Sequence, residues 1–84
     1  MGYHSADGRH FLGWRWNLRG RLEVILDSAG DRRRVFEVAL PPQLRPDALG
    51  DALQAALRSR NVLAGLHRQL HARGIAVARE EVRM

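Results

Sequence analysis

From Leu12 onward the chain alternates apolar and polar residues with a period of two. Leu12, Trp14, Trp16 and Leu18 share one parity, and Arg15, Asn17 and Arg19 take the other. Leu22, Val24 and Leu26 repeat the pattern against Arg21, Glu23 and Asp27, and Phe36, Val38 and Leu40 repeat it against Arg33, Glu37 and Ala39. Strict alternation predicts strands with one face packed and the other in water, here a three-stranded antiparallel meander. Parity puts both tryptophans on the packed face. Residues 1–9, with Gly2, Ser5, Asp7 and Gly8 and no period, read as a loose N-terminal tail.

Two connections share one design. Asn17-Leu18-Arg19-Gly20 and Asp27-Ser28-Ala29-Gly30 each carry Asn or Asp first and glycine fourth, which suits a type I turn closed by a glycine bulge. In the first hairpin this sets Trp16 beside Leu22, Trp14 beside Val24 and Arg15 beside Glu23. The second allows two registers. A short loop opposes Asp27 to Asp31; a longer one pairs Asp27 with Arg33 and Ile25 with Val35 but opposes Glu23 to Glu37.

Pro41-Pro42 ends the third strand, because proline cannot donate to a ladder. Beyond it the period changes to that of a helix. Leu49, Ala52, Leu53, Ala56 and Leu57 form one stripe between Pro46 and Arg58. The stripe shifts phase at Ser59-Arg60-Asn61, so a second helix is expected to start near Asn61, with Leu63, Leu66 and Leu70 inward. Gly74 followed by Ile75 is a C-terminal stop. Ile75 to Ala78 then reads as a fourth strand, with the remainder a continuation or a tail. The expected fold is α+β, in the order β-β-β-α-α-β, a single domain over residues 10–84 with both helices on the tryptophan-bearing face.

An 84-residue chain has one domain's worth of core to bury. It has no cysteine, which excludes disulfides, thiolate zinc sites and cysteine nucleophiles. No apolar run approaches membrane-spanning length and the N-terminus has no signal-like stretch, so the expectation is a cytoplasmic protein with no membrane partner.

Charge changes the picture more. The formal net charge is +5, and it is concentrated. Between Ala52 and Arg79 no acidic residue interrupts Arg58, Arg60, Arg68, Arg73 and Arg79, whereas the other nine arginines face nine carboxylates. A localised positive field draws anions, and the guanidinium fork suits phosphate. The expected anion-binding or nucleic-acid-binding residues are Arg58, Arg60, Asn61, Arg68 and Arg73, the first three at a helix junction where free N–H groups favour anions.

Other candidate chemistry is thin. Trp14, Arg15, Trp16 and Arg19 interleave aromatic and basic residues as single-strand platforms do, but parity turns the rings inward. His67 and His71 have a metal-holding spacing without a third ligand nearby, so no metal and no cofactor is expected. There is no paired-carboxylate motif and no glycine-rich phosphate loop. The reading is a non-enzymatic binding module whose basic helix-helix-strand segment contacts nucleic acid or another polyanion with low sequence specificity. The alternative is a protein-interaction or assembly module, a homodimer, suggested by Ile25 and Val35 on the polar face and by the smooth Ala64, Gly65 and Ala72 surface.

Overall fold

A computed structural model describes residues 1–83. Five strands form one antiparallel sheet in sequential order: β1 (Gly2–His4), β2 (His10–Trp16), β3 (Leu22–Ser28), β4 (Arg33–Ala39) and β5 (Ala76–Arg83). Helices α1 (Ala48–Leu57) and α2 (Val62–Ala72) lie in the connection from β4 to β5. The α+β class and the meander are as expected, but four strands precede the helices rather than three. The expected loose tail supplies the extra one.

β1 joins the sheet through a turn closed in the same way as that of Asn17 to Gly20. Ser5-Ala6-Asp7-Gly8 closes with Gly8 N–H donating to Ser5 O at 3.0 Å, with Gly8 at φ +72°. Tyr3 pairs with Leu12 in the ladder and points to the helix side, where its hydroxyl lies over Gly50 of α1. A side chain at residue 50 would collide with it. On the other side of the sheet the Phe11 ring lies over Gly2 and Gly13, filling the volume that two Cβ atoms would take.

The first hairpin has the expected register, with Trp16 opposite Leu22, Trp14 opposite Val24 and Arg15 opposite Glu23. Asn17 Oδ1 holds its turn by accepting the N–H groups of Arg19 and Arg21, both at 2.9 Å. The second hairpin takes the longer loop. Its turn is Ser28 to Asp31, one residue later than the sequence pattern suggests, with Gly30 in third position at φ +76°. Ile25 therefore meets Val35, and Asp27 receives a forked pair from Arg33 at 2.8 and 3.1 Å. The like charges of Glu23 and Glu37 are opposed, yet each has its own arginine: Arg15 at 3.1 Å for Glu23 and Arg21 at 3.8 Å for Glu37. Local neutralisation makes that register tolerable.

Leu12, Val24 and Phe36 from the sheet pack against Leu53, Leu66 and Leu70 from the helices, and all six are fully buried. Asn61 caps α2 as expected, accepting the Ala64 N–H at 3.1 Å. Gly74 at φ +71° ends the helix, with Gly74 N–H bonded to His71 O and Ile75 N–H to Leu70 O, both at 3.0 Å. β5 runs on to Arg83, so the continuation holds and the tail does not, with a bulge opposite Glu37 and Val38.

The expectation that both tryptophans lie in the core fails for Trp16. Trp14 is half-buried against the core, but Trp16 is 67% exposed and Leu18 fully so. Parity assigns a face to a strand residue; it does not say how far the helices reach along that face. Three of the features that suggested a homodimer are occupied internally, while Ala72 stays exposed. Ile25 is 8% and Val35 3% exposed, enclosed on the open sheet face, and the space above Gly65 is filled by the Ser59 side chain.

Glu23 is the buried carboxylate of that open face. Burial pushes its carboxyl up, but hydrogen bonds from Arg15 and Asn17 and the charges of Arg15 and Arg83 outweigh burial and hold it below the ordinary glutamate range. A depressed carboxyl stabilises the fold above its unfolded-state value and ceases to as pH falls through the folded one. Glu23→Gln should therefore cost about 1–2 kcal/mol near neutrality. In urea unfolding measured against pH, the gap between wild type and variant should close below about pH 4.

Candidate anion-binding cleft

Three connections meet at one end of the sheet: the β1–β2 turn, the β3–β4 turn and the α1–α2 junction. The two turns are tied together by the Ala29 N–H, which donates to Arg9 O at 2.7 Å, and by His10 Nδ1, which lies 2.8 Å from Ser28 Oγ. Between the first turn and the helix junction is an open cleft of about 520 Å³. Arg58, Ser59 and Arg60 form one wall; Tyr3, His4 and His10 line the other.

The cleft's electrostatics follow from what its polar groups already do. Asp7 is the one carboxylate on its lining, and it is occupied by the Ser5 hydroxyl at 2.6 Å and the Arg9 N–H at 3.0 Å. Those two hydrogen bonds, the first the larger effect, hold its carboxyl below the usual aspartate value. Asp31 is similarly engaged by the Arg32 N–H at 2.8 Å. Arg58 and Arg60, by contrast, have no carboxylate within ion-pairing distance among the described residues, and nor do Arg9 and Arg32 on the neighbouring turns. All four are exposed. This end of the molecule therefore offers several unengaged guanidinium groups around a concavity, with its carboxylates turned to local structure.

The five residues expected to bind anions do not form one site. Arg58 and Arg60 share the cleft. Asn61 sits beside it, with its side-chain oxygen committed to the α2 cap and its amide N–H groups facing no partner among the described hydrogen bonds. Arg68 stands on the exposed face of α2, against the groove toward β5. Arg73 lies at the opposite end of the eleven-residue helix, about 16 Å from its start, and bonds Gln69 O and Oε1 at 3.1 and 2.6 Å. Arg79 is paired with Glu81 at 2.8 Å. The acid-free segment is thus a fact of sequence whose charges point three ways.

His4, His10, Arg9 and Arg32 escape a reading confined to that segment. The signal for them is the recurrent turn motif, which implies a hairpin at residues 5–8 and so brings its flanks to the same end of the sheet as Arg32. His10 and Ser28 are directly opposed in the ladder, so their hydrogen bond is a cross-strand pair. Nucleophilic use of Ser28 would need a third group to orient the imidazole, and Asp7 is directed to Ser5 and Arg9 instead. His67 is held by Glu80 at 3.3 Å and stands edge-on to Phe36, and no group of three metal-ligating side chains occurs among the described residues.

No protein-family model matches the chain, and neither the curated proteins nor the solved structures compared with it give a match. Among the described residues no helix is long and apolar enough to cross a membrane.

Replacing Asn61 separates capping from binding. Asn61→Ala should lower stability by about 1 kcal/mol in chemical denaturation while changing anion affinity less than twofold in a titration of the folded protein.

Proposed function

We propose that the protein is a binding module, not an enzyme, that takes the phosphates of a nucleic acid, or of a similar polyanion, at the end of the sheet where the α1–α2 junction meets the two turns. The observation that carries the reading is the convergence of Arg58 and Arg60 on a cleft whose one carboxylate is already bonded to Ser5 and Arg9. Arg9 and Arg32 extend the same positive surface. Guanidinium groups that meet phosphate oxygens position a strand without reading its bases, so the reading implies low sequence specificity. The absence of lysine in the chain fits forked contacts better than point charges.

Four arginines neutralising about four phosphates give log K a slope against log salt of about −3 to −4. Fluorescence anisotropy with a labelled single-stranded oligonucleotide measures it. The Arg58→Ala/Arg60→Ala variant should reduce the slope by about 1.5 and weaken binding at least tenfold at low salt, while Arg73→Ala changes little. Equal losses for the two variants, or an affinity indifferent to salt, would rule the cleft out.

A second reading, assembly of copies, rests on a different surface from the one the sequence suggested. Trp16 and Leu40 are exposed together beside Pro41 and Pro42, at the end of the sheet away from the cleft, and Leu18 is exposed on the turn that follows Trp16. Exposed tryptophan is a frequent anchor of protein interfaces. If this surface joins two copies, sedimentation velocity shows a dimer that Trp16→Ser converts to monomer; a monomer at high concentration in the wild type dismisses it.

A further inference from the structure

Along its free edge β5 is complementary to itself, and from this we infer that two copies of the chain join β5 to β5 in antiparallel order, about a two-fold axis at Glu80. β5 is bonded to β4 along one side only and is an outer strand of the sheet. The opposite edge, β1, has three residues against its eight. Long free edges are usually blunted by proline, by lysine or by cover from another element. β5 has no proline, and the chain has no lysine. Nor does α2 close over the strand, since a groove of about 780 Å³, lined by Leu70, Ile75 and Val77, lies between them. The bulge of β5 is near its start, leaving Arg79 to Arg83 in regular register with β4.

A second copy is the partner that this edge fits by charge. The chain's net charge of +5 sets copies against each other, but β5 has two arginines and two glutamates and is neutral. Residues opposed across a ladder share a face, so a two-fold axis normal to the sheet must pass through a residue of the strand. With the axis at Glu80, Arg79 of each copy opposes Glu81 of the other on the open face. Within one copy these two already lie 2.8 Å apart along the strand, so the pairing closes a ring of four alternating charges in which neither side chain gives up its partner. On the helix face Val82, 48% exposed, meets Ala78 of the other copy. Neighbouring registers are worse: an axis at Arg79 sets that arginine against itself, and one at Glu81 sets Arg79 against Arg83. The chosen register opposes Glu80 to its twin, a like pair this sheet already accommodates. Glu23 faces Glu37 in the same way, each with its own arginine. Glu80 is equally provided for, by Arg34 and His67, both at 3.3 Å.

The test is a charge exchange read by sedimentation velocity. The wild type should sediment as a dimer at submillimolar concentration, with hydrogen exchange slowing from Ala78 to Val82 as the dimer forms. Arg79→Glu alone sets two glutamates against Glu81 of the other copy, and Glu81→Arg alone sets two arginines against Arg79. Each should weaken the dimer by about tenfold or more. An equimolar mixture of the two variants restores opposite charges at both contacts and should associate as tightly as the wild type. Val82→Glu, opposite Arg34 in its own sheet and diagonally across from Glu80 of the other copy, should weaken the dimer with an unchanged circular dichroism spectrum, and it decides the matter if either charge variant fails to fold. Trp16→Ser and Arg58→Ala/Arg60→Ala should both stay dimeric, which separates this interface from the exposed tryptophan and from the cleft. A wild type that is monomeric at millimolar concentration, a mixture no tighter than its parts, a folded Val82→Glu as dimeric as the wild type, or a dimer that Trp16→Ser dissociates would each overturn the inference.

Discussion

Everything in this fold depends on one packing event: the apolar stripes of two short helices closing over the face of the sheet that carries Leu12, Val24 and Phe36. A chain of 84 residues has no second core to fall back on. Ten- and eleven-residue helices would be marginal alone, so their stability comes from that contact. Because both helices sit within a single connection, β4 to β5, they must turn back sharply on each other at Ser59-Arg60-Asn61. The sharp reversal puts Arg58 and Arg60 at the end of the sheet where two hairpin turns also emerge. The cleft is a consequence of how the core is covered.

The opposite face of the sheet solves a different problem. With no helix over it, Ile25 and Val35 are still buried, and they lie among rows of alternating charge. Glu23 with Arg15 and Arg83, Glu37 with Arg21, and Asp27 with Arg33 form that lattice. Nearly all its arginines are matched, so this face is close to neutral. The positive surplus is left to the cleft, to the outer side of α2 and to the turns. Matching on one face is what gives the remaining arginines their significance.

Much of this was legible in the residues. Two-residue alternation places three strands and their packed face, the phase shift at residues 59–61 divides the helices, and Gly74-Ile75 stops the second. What alternation cannot report is extent. β1 has one inward residue, Tyr3, too few to establish a period, although the Ser5 to Gly8 turn repeats a motif found at Asn17. Trp16 has the parity of a core residue but stands beyond the helices' reach. The candidate site was half legible for a related reason: charge along a sequence says how many arginines are unmatched, whereas the reversal between α1 and α2 brings Arg58 and Arg60 together and the length of α2 carries Arg73 to its other end.

The central claim is that phosphate is met at the cleft by Arg58 and Arg60 together. It is tested most directly by following the Nε–Hε signals of the arginines by ¹⁵N NMR as a single-stranded oligonucleotide is added. Arg58 and Arg60 should move first and furthest, with Arg9 and Arg32 following and Arg73 still. Shifts led by Arg73, or by the matched arginines Arg15, Arg33 and Arg83 of the open face, would contradict it, as would signals that do not move at all.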